Sequence, residues 1–498
     1  MSRADSWLRA GTVAAAIVVV AVITFIPPGS NDLWLDAALG RMIWSNGEIP
    51  RTVLFPFTEA SQFPFAAHEW LSSVTLYLFF HLVGHAHLVF VKGLLGLALF
   101  GLCWRLSYRL SESLFASVLV SLAAMAATNF RYFLRPELFG LFLFVIVLSL
   151  LVEYRASGRW RYLLACVPAA LLWANSHGSF PLALVLAATF AAGAAAEALR
   201  RHKGNRLRAS WLAARPYLLC AALMACAMLL NPYGAHLFRF VWDLERADFL
   251  RSYIYEWTPT LYGPFAGSRG YWAFLSFLAF SAAVLSFGWR KVPLAGALLL
   301  LVFGYLALHA QRHIVFFALA SVYPLAAAMR GIAPRLLAWP PVRAATLALI
   351  VACAGLAMRY GNLYGGFPYH VVSHNFSPLL VEYLDRPQIK GNVLNSYELG
   401  SELIYRYYPR LRPAIDSRAY AYGRKYFLEI LRLNSDEAAL KAFIARYHVD
   451  YILLLHRDFD QGIRRMRHMQ DAGWRIIFSD GKVVLLGRPG QLSQRESS

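Results

Sequence analysis

Asp32 and Asp36 stand four residues apart in a segment whose apolar positions, Leu35, Leu39, Met42 and Ile43, keep helical spacing up to Gly47. That spacing puts both carboxylates on one helix face, one turn apart. A carboxylate so placed can take a proton from a substrate hydroxyl. Asp32 also suits the helix N-cap, which its oxygen and the helix dipole favour; a cap can hold a carboxylate in place for chemistry. His68 and Glu69 follow in the same loop. Arg131, Arg135 and Glu137 share the run NFRYFLRPE, Asn175, Ser176 and His177 lie in WANSHGSF, and His309, Gln311, Arg312 and His313 in HAQRHI. Guanidinium groups are planar and permanently charged, so Arg131, Arg135 and Arg312 are candidates to hold a phosphate. The plainer alternative is that they snorkel to lipid headgroups. His68, His177, His313, Asn175 and Glu137 are candidates to line the same pocket. A divalent metal stays open as a cofactor, although no histidine pair at i, i+4 and no HExxH run supports it.

These residues must be positioned by membrane helices. Of the 498 residues, 58% are apolar and 15% charged, with mean hydropathy +0.47 and net charge +20. Soluble domains carry about a quarter charged residues, so the chain reads as a polytopic membrane protein. Its basic excess fits cytoplasmic loops and anionic lipid rather than nucleic acid. The five cysteines lie in apolar segments without metal-ligand spacing. Runs able to cross about 30 Å of hydrocarbon fall at 11–27, 86–106, 113–129, 137–153, 161–177, 178–199, 211–231, 271–288, 292–310, 312–329 and 342–358. The first is read as an uncleaved span with a cytoplasmic N-terminus. The run from Glu69 to Gly84 is short, and treating it as a juxtamembrane helix puts every strongly basic loop on the cytoplasmic side. The polar groups then gather on the outer face. Because ionisable groups at membrane depth are costly unless paired or functional, one shared outer-face site is the economical expectation.

The expected fold is therefore an α-helical polytopic membrane protein of eleven transmembrane helices plus juxtamembrane helices, with a small C-terminal soluble α/β domain. Residues 1–360 form the membrane domain, with outer loops at 28–85 and 232–270. Within the second loop, Asp243, Glu245, Asp248 and Glu256 are assigned to an amphipathic interfacial helix built on HLFRFVWDLERADFL (236–250), the alternative for Glu256, beside Trp257, being contact with a sugar. Residues 361–490 alternate helix-like and strand-like runs, with helices at 377–384, 398–408, 424–447 and 458–472. Strands fall at 391–396, 413–416 and 451–455, and a terminal hairpin turns at Asp480-Gly481. Residues 491–498 read as a disordered polar tail. Asp416 and Arg418 in RPAIDSR are the residues of this domain that merit testing.

A first span, an outer loop opening on an acidic residue, juxtamembrane helices, a multi-span body and a soluble outer domain together resemble the GT-C superfamily of integral-membrane glycosyltransferases. The likeness includes its family 39-like members and the lipid A aminoarabinose transferase. Asp32-Leu-Trp34, Phe55-Pro-Phe-Thr58, His68-Glu-Trp-Leu71, Arg135-Pro136-Glu137, Trp173-Ala-Asn-Ser-His-Gly178, Asn231-Pro-Tyr-Gly234, Arg312-His-Ile314 and Asn395-Ser-Tyr-Glu-Leu-Gly400 carry a closer likeness to a poorly characterised bacterial group of this kind. The resemblance implies a polyprenyl-phosphate-linked sugar donor, a lipid, glycan or protein acceptor, and a general base that maps onto Asp32. Many members have two adjacent acidic residues there, whereas this chain has Asn31 beside Asp32 and its second carboxylate at Asp36. Asp36 or Glu69 would then orient the acceptor or a metal. It further implies a bacterial inner (plasma) membrane, a periplasmic C-terminal domain and a place in cell-envelope glycan biosynthesis. Two rival classes are a transporter or flippase of a lipid-linked or hydrophobic solute, and a non-catalytic membrane-anchored glycan-binding scaffold. Transporters place their sites near the midplane in repeated halves, and no repeat is visible in this sequence.

Overall fold

The computed structural model describes residues 3–26, 30–337, 339–361, 375–433, 435–460 and 473–488. Each of the eleven apolar runs contains a helix: Arg3–Thr24, Leu88–Ser111, Leu114–Thr128, Pro136–Ser157, Arg161–Ser176, Leu182–Arg201, Arg206–Met228, Arg269–Gly288, Leu294–His309, Ile314–Leu336 and Pro340–Gly361. Among the described residues, eight helices are long and apolar enough to cross a membrane, fewer than the eleven expected. Arg161–Ser176 and Leu294–His309 stop at 16 residues because the chain turns extended at His177 and Ala310. In Pro340–Gly361 the apolar helix counted reaches only Ala352. Trp70–Val83, read as juxtamembrane, has 14 residues. At roughly 1.5 Å per residue it is short of a crossing.

The chain divides into two compact units that do not follow sequence order. Met1–Pro27 and His87–Tyr369 make the first; Pro28–Ala86 and His370–Ser498 make the second. The first loop therefore packs with the C-terminal region. In the first unit, Ile314–Leu336 is the most enclosed span, with 89% of its apolar window buried. Neighbouring helices come close where residues are small: a Cβ on Gly288 would stand 2.4 Å from the Ala328 carbonyl oxygen.

In the second unit, helix Asn31–Asn46 ends on Gly47 with φ +71°, as its sequence predicts. The N-cap is a correction: Ser30 takes it, accepting from the Asp32 amide, and Asp32 sits in the first turn. This helix crosses Trp70–Val83 at Gly40, where a Cβ would meet the Ser73 carbonyl oxygen at 2.0 Å. The C-terminal region carries five strands, β1 (Gly391–Asn395), β2 (Leu411–Pro413), β3 (Tyr451–Leu455), β4 (Arg475–Ser479) and β5 (Val483–Gly487). They lie in the order β2-β1-β3-β5-β4. β1 pairs parallel with β2 and β3, with Leu394 opposite Ile452; β5 runs antiparallel to β3 and β4, closing the expected hairpin. Leu380, Leu403, Leu453 and Leu485 fill the core on this sheet. Strand β2 lies two to three residues before its expected place. The helix expected at 458–472 is described only as His456–Asp460, and residues 461–472 and the tail 491–498 lie outside the described residues.

The first loop is bound to this sheet region by named contacts. Leu35, Ala38 and Phe55 pack on Ile404, and Arg41 donates to the Tyr405 carbonyl at 3.0 Å. The Thr58 and Tyr426 hydroxyls lie 2.7 Å apart.

The basic loops predict a sidedness that labelling can read. With cysteine introduced singly as Glu48→Cys or Gly204→Cys, a membrane-impermeant maleimide should label the first in intact cells and the second only after permeabilisation. The reverse pattern would overturn the orientation.

Candidate active site

The predicted site residues fall into two groups, one in each unit. In the second unit, Asp36 is buried and accepts from Ser73 Oγ at 3.2 Å. His68 is buried, its Nδ1 is 3.2 Å from the Ala66 carbonyl oxygen and its Nε2 is 3.5 Å from Glu69 Oε1. Glu69 begins helix Trp70–Val83, the partner that helix Asn31–Asn46 crosses, so the crossing brings the two acidic segments into one unit. Their surroundings include two tyrosines that sequence reasoning did not single out. The Tyr420 ring stacks on Phe65 at 6.5 Å and meets the edge of His68 at 5.8 Å. Burial and the charge of Glu69, together with those of Asp36 and Asp32, push its phenol well above the usual tyrosine range against the opposing Arg418. Burial and Asp32 do the same to Tyr397. No spacing rule links residue 32 to residue 420, so only the fold reveals this grouping.

Asp416 and Arg418 form a buried pair, with Arg418 Nε donating to Oδ1 at 3.0 Å and Nη2 to Oδ2 at 2.6 Å. Nη2 also donates to the Val53 carbonyl at 3.0 Å, and the guanidinium lies over Phe65 at 4.7 Å and Phe55 at 5.4 Å. This arginine fastens the first loop to the C-terminal region.

In the first unit, Arg131 and Arg135 are not open cations. Arg131 Nη2 donates to both Glu137 oxygens at 3.0 and 2.8 Å, and its Nη1 is 2.8 Å from Glu256 Oε1. Arg135 donates to Glu137 Oε2 through Nη2 at 2.7 Å and to Glu256 Oε1 through Nη1 at 2.7 Å. Glu137, expected to bind substrate, is engaged by both guanidiniums, since a guanidinium buried beside it must be neutralised. Glu256 lies in the turn Tyr255–Trp257, not on the amphipathic helix expected there, and meets both arginines. Arg131 and Arg135 outweigh the effect of burial and hold its carboxyl well below the usual range. Its signal in the sequence was only the need of neighbouring arginines for acids.

Arg312 lies over the Trp257 ring at 4.1 Å, and His313 Nε2 is 3.8 Å from Glu245 Oε2. Although burial raises the Glu245 carboxyl, His313, Arg312 and Arg251 together hold it at about 2. Glu137 and Glu256 thus meet Arg131 and Arg135, while Glu245 faces Arg312, Arg251 and His313. Two buried donors, Arg131 Nε and His313 Nδ1, have no hydrogen-bond partner among the described residues. His177 Nδ1 is 2.7 Å from Ser179 Oγ and packs where a Cβ on Gly140 would stand 3.0 Å away. Asn175 donates to the Leu171 carbonyl at 2.9 Å, tying it to its own helix.

Among the described residues no three His, Cys, Asp or Glu side chains gather so as to hold a metal ion.

No protein-family model and no curated protein matches the chain. Solved structures do. The archaeal oligosaccharyltransferase AglB from Archaeoglobus fulgidus, in complex with an inhibitory peptide and a dolichol-phosphate, is similar at TM-score 0.61 and 12% identity, over 91% of this chain and 70% of that one. The chain shares the fold of this oligosaccharyltransferase. The Archaeoglobus fulgidus oligosaccharyltransferase tethered to an acceptor peptide carrying the NVT sequon matches at TM-score 0.55 and 14% identity, over 90% and 69% of the two chains. Its complex with Zn and sulfate matches at 0.52 and 12%, over 89% and 68%. At these identities the likeness is one of fold.

Removing one partner of a buried ion pair leaves an uncompensated charge and costs about 3 to 5 kcal/mol. Glu137→Gln should lower the unfolding free energy in detergent by that order, and Glu256→Gln by less, since its side chain is 31% exposed against 5% for Glu137. An equal or reversed order would contradict the assignment. The depressed Glu256 carboxyl stabilises the fold above its ordinary value of 4.5. That contribution should fade as pH falls below this value, and should be smaller in Glu256→Gln.

Proposed function

We propose that the chain is a membrane glycosyltransferase that moves a sugar from a polyprenyl-phosphate donor to a hydroxyl of a lipid, glycan or protein acceptor at the outer membrane face. The observation that carries this is the fold shared over nine-tenths of the chain with proteins solved with dolichol-phosphate and with peptides. The acidic group at the head of the first loop adds the chemistry. Asp32 accepts the proton of the acceptor hydroxyl as its oxygen attacks the anomeric carbon. The bond from that carbon to the phosphate oxygen breaks, and the polyprenyl phosphate leaves with the electron pair. Asp36 and Glu69 orient the acceptor, and Asp32 then returns its proton to water. Arg131, Arg135 and Arg312 meet the charge that grows on the leaving phosphate, with His177 and His313 beside them. The unpartnered Arg131 Nε and His313 Nδ1 support that assignment.

A general base contributes on the order of 10²- to 10⁴-fold. Asp32→Asn should lower sugar transfer from a panel of polyprenyl-phosphate sugars by at least that lower bound, at matched expression and thermal midpoint. Turnover equal to wild type would remove Asp32 as the base. Because Glu256 already occupies Arg131 and Arg135, Glu256→Gln should lower the donor KM several-fold in the same assay; an unchanged or raised KM would count against phosphate binding by these arginines.

A further inference from the structure

Between Glu153 and Asp243 the chain carries one acidic residue, Glu197, and it is already engaged. Arg155 Nη2 donates to both of its oxygens at 2.9 and 2.8 Å, and the Leu294 amide donates to Oε1 at 3.1 Å. These bonds join the last turns of helices Pro136–Ser157 and Leu182–Arg201 to the start of Leu294–His309. Ser210 Oγ donates to the Ala195 carbonyl at 3.1 Å, so helix Arg206–Met228 begins at the same end of the first unit. Arg159 and Arg161 stand at the first of its connecting turns, and Arg200, Arg201, Lys203, Arg206 and Arg208 at the next. All seven are exposed, and among the described residues none forms a salt bridge. Like charges crowded at neighbouring turns repel, so their counterions must come from outside the chain. Hydrocarbon lies open beside them: Trp160 is 47% exposed, Leu207 79% and Trp211 58%. A soluble polyanion answers the cations and leaves these three side chains in water. Pro136–Ser157, Leu182–Arg201 and Arg206–Met228 are each long and apolar enough to cross a membrane, which sets their turns where headgroups meet acyl chains.

We propose that the two turns form a binding surface for anionic phospholipid, in which the cations hold headgroup phosphates while Trp160, Leu207 and Trp211 lie against the upper acyl chains. The surface uses none of the residues assigned to sugar transfer, so it stands whether or not the chain is a transferase. The Arg155–Glu197 pair, bound to Leu294, keeps the ends of three helices together beneath it. The phosphates supply the negative charge that this stretch of chain lacks.

In the delipidated full chain in detergent, native mass spectrometry with added phosphatidylglycerol and phosphatidylcholine at equal concentration should show the anionic lipid retained by about tenfold or more over the zwitterionic one. A chain carrying Arg200→Gln, Arg201→Gln, Lys203→Gln, Arg206→Gln and Arg208→Gln should fall to about twofold. Its thermal midpoint without lipid should match wild type, because all five side chains are exposed. Arg159→Gln with Arg161→Gln, which leaves those five in place, should give an intermediate ratio. Arg239→Gln with Arg246→Gln, exposed cations of the outer loop 232–270, should keep the wild-type ratio. Equal retention of the two lipids by wild type overturns the surface. An unchanged ratio in either turn variant, or its loss in the Arg239 and Arg246 variant, overturns it as well. Displacement of bound phosphatidylglycerol by an oligonucleotide at equal phosphate concentration would give the cations to a soluble polyanion and overturn the lipid.

Discussion

A charge withdrawn from water must find an opposite charge, and this requirement organises both units. Arg131 and Arg135 sit at the ends of apolar helices where unpaired guanidiniums would be strongly destabilising. Glu137, one residue past Pro136, answers them locally, and Glu256 answers them from a turn more than a hundred residues later in the chain. The pairing fixes that turn, and the turn in turn places Trp257 under Arg312. Gln311 then donates to Thr258 Oγ1 at 3.1 Å, joining the start of the next span to the same segment.

The second unit obeys the same rule with aromatic help. Asp416 satisfies one edge of Arg418, the Val53 carbonyl takes a further bond, and Phe55 and Phe65 cover the faces. A guanidinium is less strongly hydrated than an ammonium and stacks on rings, so lysine would not replace it without loss. Through this contact the acidic helix Asn31–Asn46 belongs with a sheet that begins near residue 391, and the boundary drawn from hydropathy at about residue 360 separates segments that fold together.

Much of this was legible in the sequence because it depends on local patterns. The apolar runs, the Gly47 terminus, the terminal hairpin and the α/β alternation all follow from spacing within a few residues. What was not legible depends on distant pairs. The arginine partners of Glu137 could not be seen, and the cap that the sequence offered to Asp32 is taken by Ser30, two residues earlier, which accepts from the Asp32 amide. The grouping of Tyr420 with His68 arises from strand order, which hydropathy does not encode. Fewer described helices reach spanning length than there are apolar runs for a related reason: apolar composition continues past the points where His177 and Ala310 turn extended.

The pairing of Arg131 and Arg135 with Glu137 and Glu256 bears on how such a group would serve catalysis. On the proposed chemistry the donor phosphate gains negative charge as its bond to the sugar breaks, so help that comes late is worth more than tight binding of the donor. Arginines held by carboxylates give little to the ground state. Of the two shared carboxylates, Glu137 is enclosed and adjacent in sequence, whereas Glu256 is partly exposed and held on a loop turn. Glu256 is therefore the one able to yield to a more strongly charged oxygen group. A pair that loosens only when the leaving group is most charged would place its stabilisation on the transition state and leave the resting protein neutral and folded.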